Sequence, residues 1–389
     1  LLMTVGMADT VMVTTSGEAA VSGVSLVDNL NLLVIQIFAA LSTGGAVVVS
    51  QYLGRREEEN ACTAARQLLY TVVFVSTVLM VLALVLRQHI LLLIFGRVQP
   101  AVMDSALIYF LLTALAYPFI SVYNAGAALF RSMGNSKVSM FCSLLVNIIN
   151  IAVNAVFIYG FHMGAAGAGI GTLASRVAAA VIIMALLNRP YNTVRVTGIL
   201  RVRLRWDMIR RLLFIGVPNG MENGMFQVGK LLVLNLITSF GTASVAANAI
   251  ANSISGVLIV PGQALGLSLI TVVGRCMGAR DPAQAVGYTK KLVGICGLLI
   301  GALGVVSFFA AVPLTGIFNL SPQAADMAAR VLRLSAFFYI LFWPLAFTLP
   351  NALRASGDAI FTMIISLCSM FACRVVLSYA ISAPWGLGL

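Results

Sequence analysis

Long apolar runs, separated by short polar stretches, follow one another along the whole chain. They fall at about 1–14, 21–49, 61–86, 104–130, 138–161, 165–188, 210–238, 245–274, 284–312, 324–350 and 359–382, eleven in all. Roughly 20 apolar helical residues cross a hydrocarbon core about 30 Å thick, and most of these runs are at least that long. They are too long, and alternate too little, for strands of a membrane barrel. Gly and Pro inside several of them are compatible with membrane helices. The pattern predicts an all-α polytopic membrane protein.

Composition narrows this further. The 389 residues are 60% hydrophobic and only 9% charged, against about 25% charged in soluble domains. A soluble enzyme, a disordered chain and a nucleic-acid-binding domain are excluded. The net charge of +12 is segregated. With the second connection taken as cytoplasmic, alternate connections and their flanks hold 17 of the 24 Lys and Arg residues. That bias predicts a cytoplasmic N-terminus; the expected setting is a bacterial inner membrane, crossed many times. Seven arginines between 189 and 211 suit a cytoplasmic segment against anionic headgroups. The six cysteines lie in or beside apolar runs without a CxxC, as small buried hydrophobes do.

The two halves resemble each other. Val48, Val49, Gly54, Arg56, Ala61 and Leu68 recur 224 positions later as Val272, Val273, Gly278, Arg280, Ala285 and Leu292. Gly17 and Val21 pair with Gly241 and Val245 at the same offset. At an offset of 223, Arg131, Gly134, Met140, Ser143 and Leu144 pair with Arg354, Gly357, Met363, Ser366 and Leu367. Six spans in the first half keep the orientation of the second, so the repeats are parallel, as in several secondary transporters. The expected organisation is a first lobe at 1–188, a basic cytoplasmic linker at 189–209 and a second lobe at 210–389. By this count the chain is expected to lack the start of the first helix and a twelfth helix.

At this point the chain resembles the multidrug and toxic compound extrusion family. Matching stretches are Gly6-Met-Ala-Asp-Thr-Val-Met12, Gln51-Tyr-Leu-Gly54, Leu129-Phe-Arg-Ser-Met-Gly-Asn135, Asn150-Ile-Ala-Val-Asn154 with Ile158-Tyr-Gly160, and Gly216-Val-Pro-Asn-Gly220. The resemblance implies two six-helix lobes around a central cavity. It also implies export of organic cations or drugs against protons or sodium, by a monomer without a cofactor.

Several polar residues within the spans could carry chemistry. Asp9 lies in the first apolar run, where an ionisable group is a functional candidate by default; the alternative is an ordinary end-of-helix acid. Asn147, Asn150 and Asn154 share one helical face, either as glue between helices or as an ion site. The resemblance makes Asp9 the coupling carboxylate, with Asn150, Asn154 and Thr172 beside it and sodium at Asp9 as one form of coupling. Asp9, Asn150 and Asn154 face Val233, Cys373 and Leu377 at the repeat offsets; an ion site can occupy one half, whereas helix glue should recur in both. Glu222 and Lys230 sit two turns apart in the seventh span, too far to pair. Glu222 is a candidate for a substrate cation or a helix-entrance acid. Lys230 and Asp28 are further cavity candidates, Asp28 alternatively lying near the outer surface. The chain departs from the family where many members carry second-lobe acids: Phe226 and a position near Trp343 stand there instead.

Gly224-Met-Phe-Gln-Val-Gly-Lys230 imitates a phosphate loop, but Leu231 follows it and no strand precedes it. With no nucleotide motif, transport is expected to run on an ion gradient. A lipid-linked oligosaccharide flippase of related architecture is the alternative. It calls for several cations inside the first lobe, of which Arg176 is one. A membrane enzyme would need a carboxylate or His cluster at a membrane face, and the sequence offers none.

Overall fold

The computed structural model describes residues 12–96, 98–198, 203–318 and 321–380. Among these residues the regular structure is helical, without strands. The helices are α1 (Glu18–Gly54), α2 (Glu58–Phe95), α3 (Pro100–Leu115), α4 (Tyr117–Ser132), α5 (Ser136–Ala155), α6 (Gly164–Leu187) and α7 (Trp206–Thr238). Then come α8 (Thr242–Leu258), α9 (Val260–Gly278), α10 (Pro282–Phe309), α11 (Ala311–Gly316), α12 (Pro322–Trp343), α13 (Leu349–Ser356) and α14 (Ala359–Ser369). Three π-helical segments prolong helices: Val156–Gly160 after α5, Pro344–Thr348 after α12 and Met370–Val376 after α14.

Prolines explain where an expected span divides. The block 104–130 becomes α3 and α4, bent by 46° around Ala116, with Pro118 in the first turn of α4. The block 245–274 divides at Ile259, just before Pro261. Proline lacks a backbone donor and clashes with the preceding turn, which favours it in the first turn of a helix, although Pro218 stays inside α7. Side-chain caps fix other starts, with Asp281 accepting from Gln284 N at 2.9 Å and Asp358 from Phe361 N at 3.4 Å. Among the described residues, eight helices are long and apolar enough to span a bilayer, or nine if α3 and α4 form one broken span. α7 falls outside that set; Asn219, Glu222, Asn223, Gln227 and Lys230 interrupt it.

Burial runs opposite to that of a water-soluble helix. On α5 the large apolar side chains Phe141, Leu144, Ile148 and Ile151 are exposed, while Asn147, Asn150 and Asn154 are buried. Leu93 on α2 is 87% exposed and Phe309 on α10 is 77% exposed. Lipid, not water, is the solvent that tolerates such a surface, and the protein is a multi-pass, all-α membrane protein.

The chain forms two compact units. The first comprises the chain up to Val49 and Glu57–Gly220; the second comprises Ser50–Arg56 and the chain from Met221 on. In the first unit Phe38, Phe110 and Tyr117 centre the core. The basic segment after α6 is docked on this unit: Gln67 donates to Arg203 O at 2.7 Å and accepts from Arg205 N at 3.2 Å, and Val194 and Val196 are buried. In the second unit the end of α1 is tied down by Gln51, which donates to Ala355 O at 3.0 Å. Cys296, Ile300 and Trp343 form one core cluster there.

The backbone carries the internal repeat. Gly17 and Gly241 both have φ 98°, Arg56 and Arg280 have φ 62° and 60°, and Gly134 and Gly357 have φ 86° and 107°. Left-handed backbone is rare for a residue such as Arg, so its recurrence at the sequence offset marks equivalent corners in the two halves.

Candidate functional site

In the first unit, α5 carries its amides to a π-helical turn. Asn150 and Asn154 are 5% and 0% exposed, and Asn154 Nδ2 donates to Asn150 Oδ1 at 3.5 Å. α6 approaches this pair at Gly171, where an added Cβ would collide with Asn154 Oδ1 and have to displace that amide. Thr172 follows directly in sequence, is half-buried, and its carbonyl accepts from Ser175 Oγ at 2.9 Å. The structure therefore brings Asn150, Asn154 and the Gly171 turn together. Asp9 lies outside the described residues. The π segment Val156–Gly160 begins just after Asn154, a kind of irregularity frequent at functional sites. A cavity of about 490 Å³ opens there, lined by Thr15, Ser16, Ile158, Tyr159 and His162 among others.

Asp28 lies on α1 in the same unit, and its carboxylate accepts from Tyr109 Oη at 2.9 Å. One turn along, Asn31 accepts from Tyr117 Oη at 3.1 Å. Asn31 also hydrogen-bonds Asp28. This is a carboxylate held by neutral donors. The tyrosine partners come from α3 and α4, far away in sequence.

In the second unit Glu222 does not stand alone. Its Oε1 accepts from Arg354 Nη2 at 2.6 Å and from Ser366 Oγ at 2.8 Å. Arg354 Nη1 also donates to Asn351 Oδ1 at 2.9 Å. Both members of the ion pair are largely buried, at 11% and 13% exposure. The acid that the sequence offers to a substrate cation thus already has a cation. Arg354 and Ser366 are the repeat partners of Arg131 and Ser143. In the first unit Tyr123 hydrogen-bonds Ser143 and lies in electrostatic reach of Arg131 and Arg176. The same Arg and Ser slots are thus joined by a phenol in one half and by a carboxylate in the other. The repeat offset is the signal that points to Arg354 and Ser366, which pair with Arg131 and Ser143 at 223 positions.

Lys230 has other company. Its Nζ lies 5.3 Å from the centre of the Phe226 ring, and the Arg374 guanidinium lies 5.1 Å from the same ring. Phe226 meets Phe347 edge-on at 5.9 Å, and Phe347 stacks on Trp343 at 5.2 Å. The stretch that imitates a phosphate loop, Gly224 to Lys230, is unbroken α7 helix.

Lipid-facing helices in parallel repeats, with buried polar groups at helix breaks, are features that membrane transporters share. The chain belongs to the MatE family, whose model matches residues 1–156 and 218–380. Thr172 and Arg176 lie between the matched stretches. The relative named "Probable multidrug resistance protein NorM" of Thermotoga maritima is 25% identical over 394 residues, covering 100% of this chain and 84% of that protein. "Uncharacterized transporter YisQ" of Bacillus subtilis is 27% identical over 397 residues, covering 100% and 86%. Among solved structures, a crystal structure of MATE in the bent conformation superposes with a TM-score of 0.92 at 20% identity, over 99% of this chain and 85% of that one. A MOP superfamily transporter from Pyrococcus furiosus gives 0.91 at 19% identity, over 100% and 86%. At these identities the structural likeness is one of fold. Family and fold together make the chain a transporter and not an enzyme.

Proposed function

We propose that this protein is a secondary multidrug exporter. It moves small organic drugs outward by alternating access, in exchange for protons or sodium ions entering the cell, from a bacterial inner membrane with its N-terminus in the cytoplasm. The observation that carries the coupling is the buried Asn150–Asn154 pair, pressed by α6 at Gly171. The resemblance sets Asp9 against this pair. Asp9 takes and releases the proton, while Asn150, Asn154 and Thr172 supply neutral donors and acceptors for either state. The same oxygens would ligate sodium, but a single carboxylate favours the proton. The names of the relatives support drugs as substrates.

The test is dye efflux from proteoliposomes with pH and sodium gradients imposed separately. A pH gradient alone should drive efflux, and Asp9→Asn should abolish it while dye binding persists. Full efflux by Asp9→Asn would sink the assignment. The flippase reading draws on Arg131 and Arg176, both within electrostatic reach of Tyr123; translocation of a lipid-linked oligosaccharide in the same vesicles, without dye efflux, would favour it.

A further inference from the structure

Where the resemblance leads one to expect acids in the second lobe, this chain has aromatic rings flanked by cations. Phe226 stands at one of those positions and Trp343 near the other, and the two are joined through Phe347. Lys230, from α7, and Arg374, from the π segment after α14, both lie against Phe226. They are within electrostatic reach of each other. Neither has a hydrogen-bonded or ion-paired side chain among the described residues. The other ionisable groups nearby do not neutralise them. Glu222 is committed to Arg354 and Ser366, and the group that faces Arg374 is the phenol of Tyr339. Three basic residues (Lys230, Arg354 and Arg374) thus stand against one acid.

Two like charges on one ring repel each other, and the attraction of a cation for a ring face offsets this only in part. An anion between them would relieve the repulsion and gain two charge-assisted hydrogen bonds. Two further observations set the cluster apart from helix glue. Phe347 and Arg374 both lie on π-helical segments, which are frequent at functional sites. And the cluster is not repeated: Trp343, Phe347 and Arg374 correspond to Ile120, Asn124 and Ile151 at the offset of 223, and Lys230 to Gly6 at 224. The Arg–Ser node beside it does recur.

We propose that Lys230 and Arg374 bind the carboxylate or phosphonate of an amphiphilic aromatic substrate whose ring packs on Phe226 and Phe347. The protein then prefers zwitterionic and acidic drugs to purely cationic ones. This rests on the efflux reading above and names its substrate class.

The test uses the purified full chain in phosphatidylcholine nanodiscs, titrated by fluorescence anisotropy with two probes. One is a zwitterionic xanthene dye with a free carboxylate; the other is its ethyl ester, which is purely cationic. The acid should bind about tenfold tighter, equivalent to ~1.4 kcal/mol. Lys230→Gln and Arg374→Gln should each erase that preference, weakening the acid without weakening the ester, and Lys230→Arg should retain it. Equal or tighter binding of the ester to the unmodified protein would overturn the proposal even if the variants fail to fold. So would a preference that survives both Gln substitutions. Phosphatidylglycerol added to the nanodiscs should leave the acid's affinity intact; loss of the preference in its presence would assign the two cations to lipid headgroups instead. Failure of the efflux reading shows separately, as no gradient-driven movement of either dye in proteoliposomes.

Discussion

Asn154 shows how much hangs on one side chain that is absent. Its amide oxygen occupies the space where a Cβ on residue 171 would be. Gly171→Ala should therefore displace Asn154 from Asn150 and lower gradient-driven efflux at least tenfold, with dye affinity altered less than threefold, ~0.7 kcal/mol. Wild-type efflux by Gly171→Ala would mean that the amide pair can move without consequence. Asp28 invites a different measurement. Tyr109→Phe removes one of the donors that reach its carboxylate, leaving Asn31, and an unmet buried polar group costs about 1–3 kcal/mol. A lower thermal unfolding temperature in detergent is expected, and Asp28→Asn in the same background should recover part of it. The three amides of α5 were legible in sequence as one helical stripe. The partners of Asp28, Asn31 and Glu222 were not, because they arrive from helices distant in the chain.

Among the helices, the ion pair between α7 and α13 is the most consequential contact, and Ser366 of α14 completes it. Removing one member of a buried pair leaves an uncompensated charge and costs ~3–5 kcal/mol, whereas replacing both with apolar residues is often neutral. Arg354→Met should depress thermal stability strongly, and Glu222→Met combined with Arg354→Met should restore most of it. If the double variant were no more stable than the single one, the charges would not be acting as a pair. Most helix limits could be read in the sequence from apolar length and proline. The breaks at Ile259 and Ala116 precede Pro261 and Pro118, so they are local events. The π segments after α5 and α14 hold no proline and were not legible; such extra turns depend on how neighbouring helices pack.

For the whole molecule, the basic residues predict which connections face the cytoplasm. In a cysteine-free background, Tyr191→Cys should react with a membrane-impermeant thiol reagent only after the cells are opened, and Gln88→Cys should react from outside. Labelling of Tyr191→Cys in intact cells would reverse the topology. The background matters because all six native cysteines are free thiols. The basic segment after α6 is a docked strap, held by Gln67 and its two buried valines. Composition alone could not say so, because a charge run that pins itself with backbone hydrogen bonds reads the same as one that does not.

Sequence by itself determined the solvent, the spacing of the apolar helices, the doubling of the fold and the family. Each of these is written in properties that add up along the chain: apolar length, the bias of basic residues, a constant offset. The left-handed corners at Arg56 and Arg280 repeat that offset in the backbone. What only the tertiary structure decided is which charges are spent and which remain available. Glu222 reads as a lone acid until Arg354 and Ser366 are brought to it across more than a hundred residues of chain. Lys230 reads as its distant neighbour until Arg374 joins it on Phe226. The electrostatic character of a buried site is a sum over neighbours in space, and inside a membrane, with little water to screen them, those neighbours decide it.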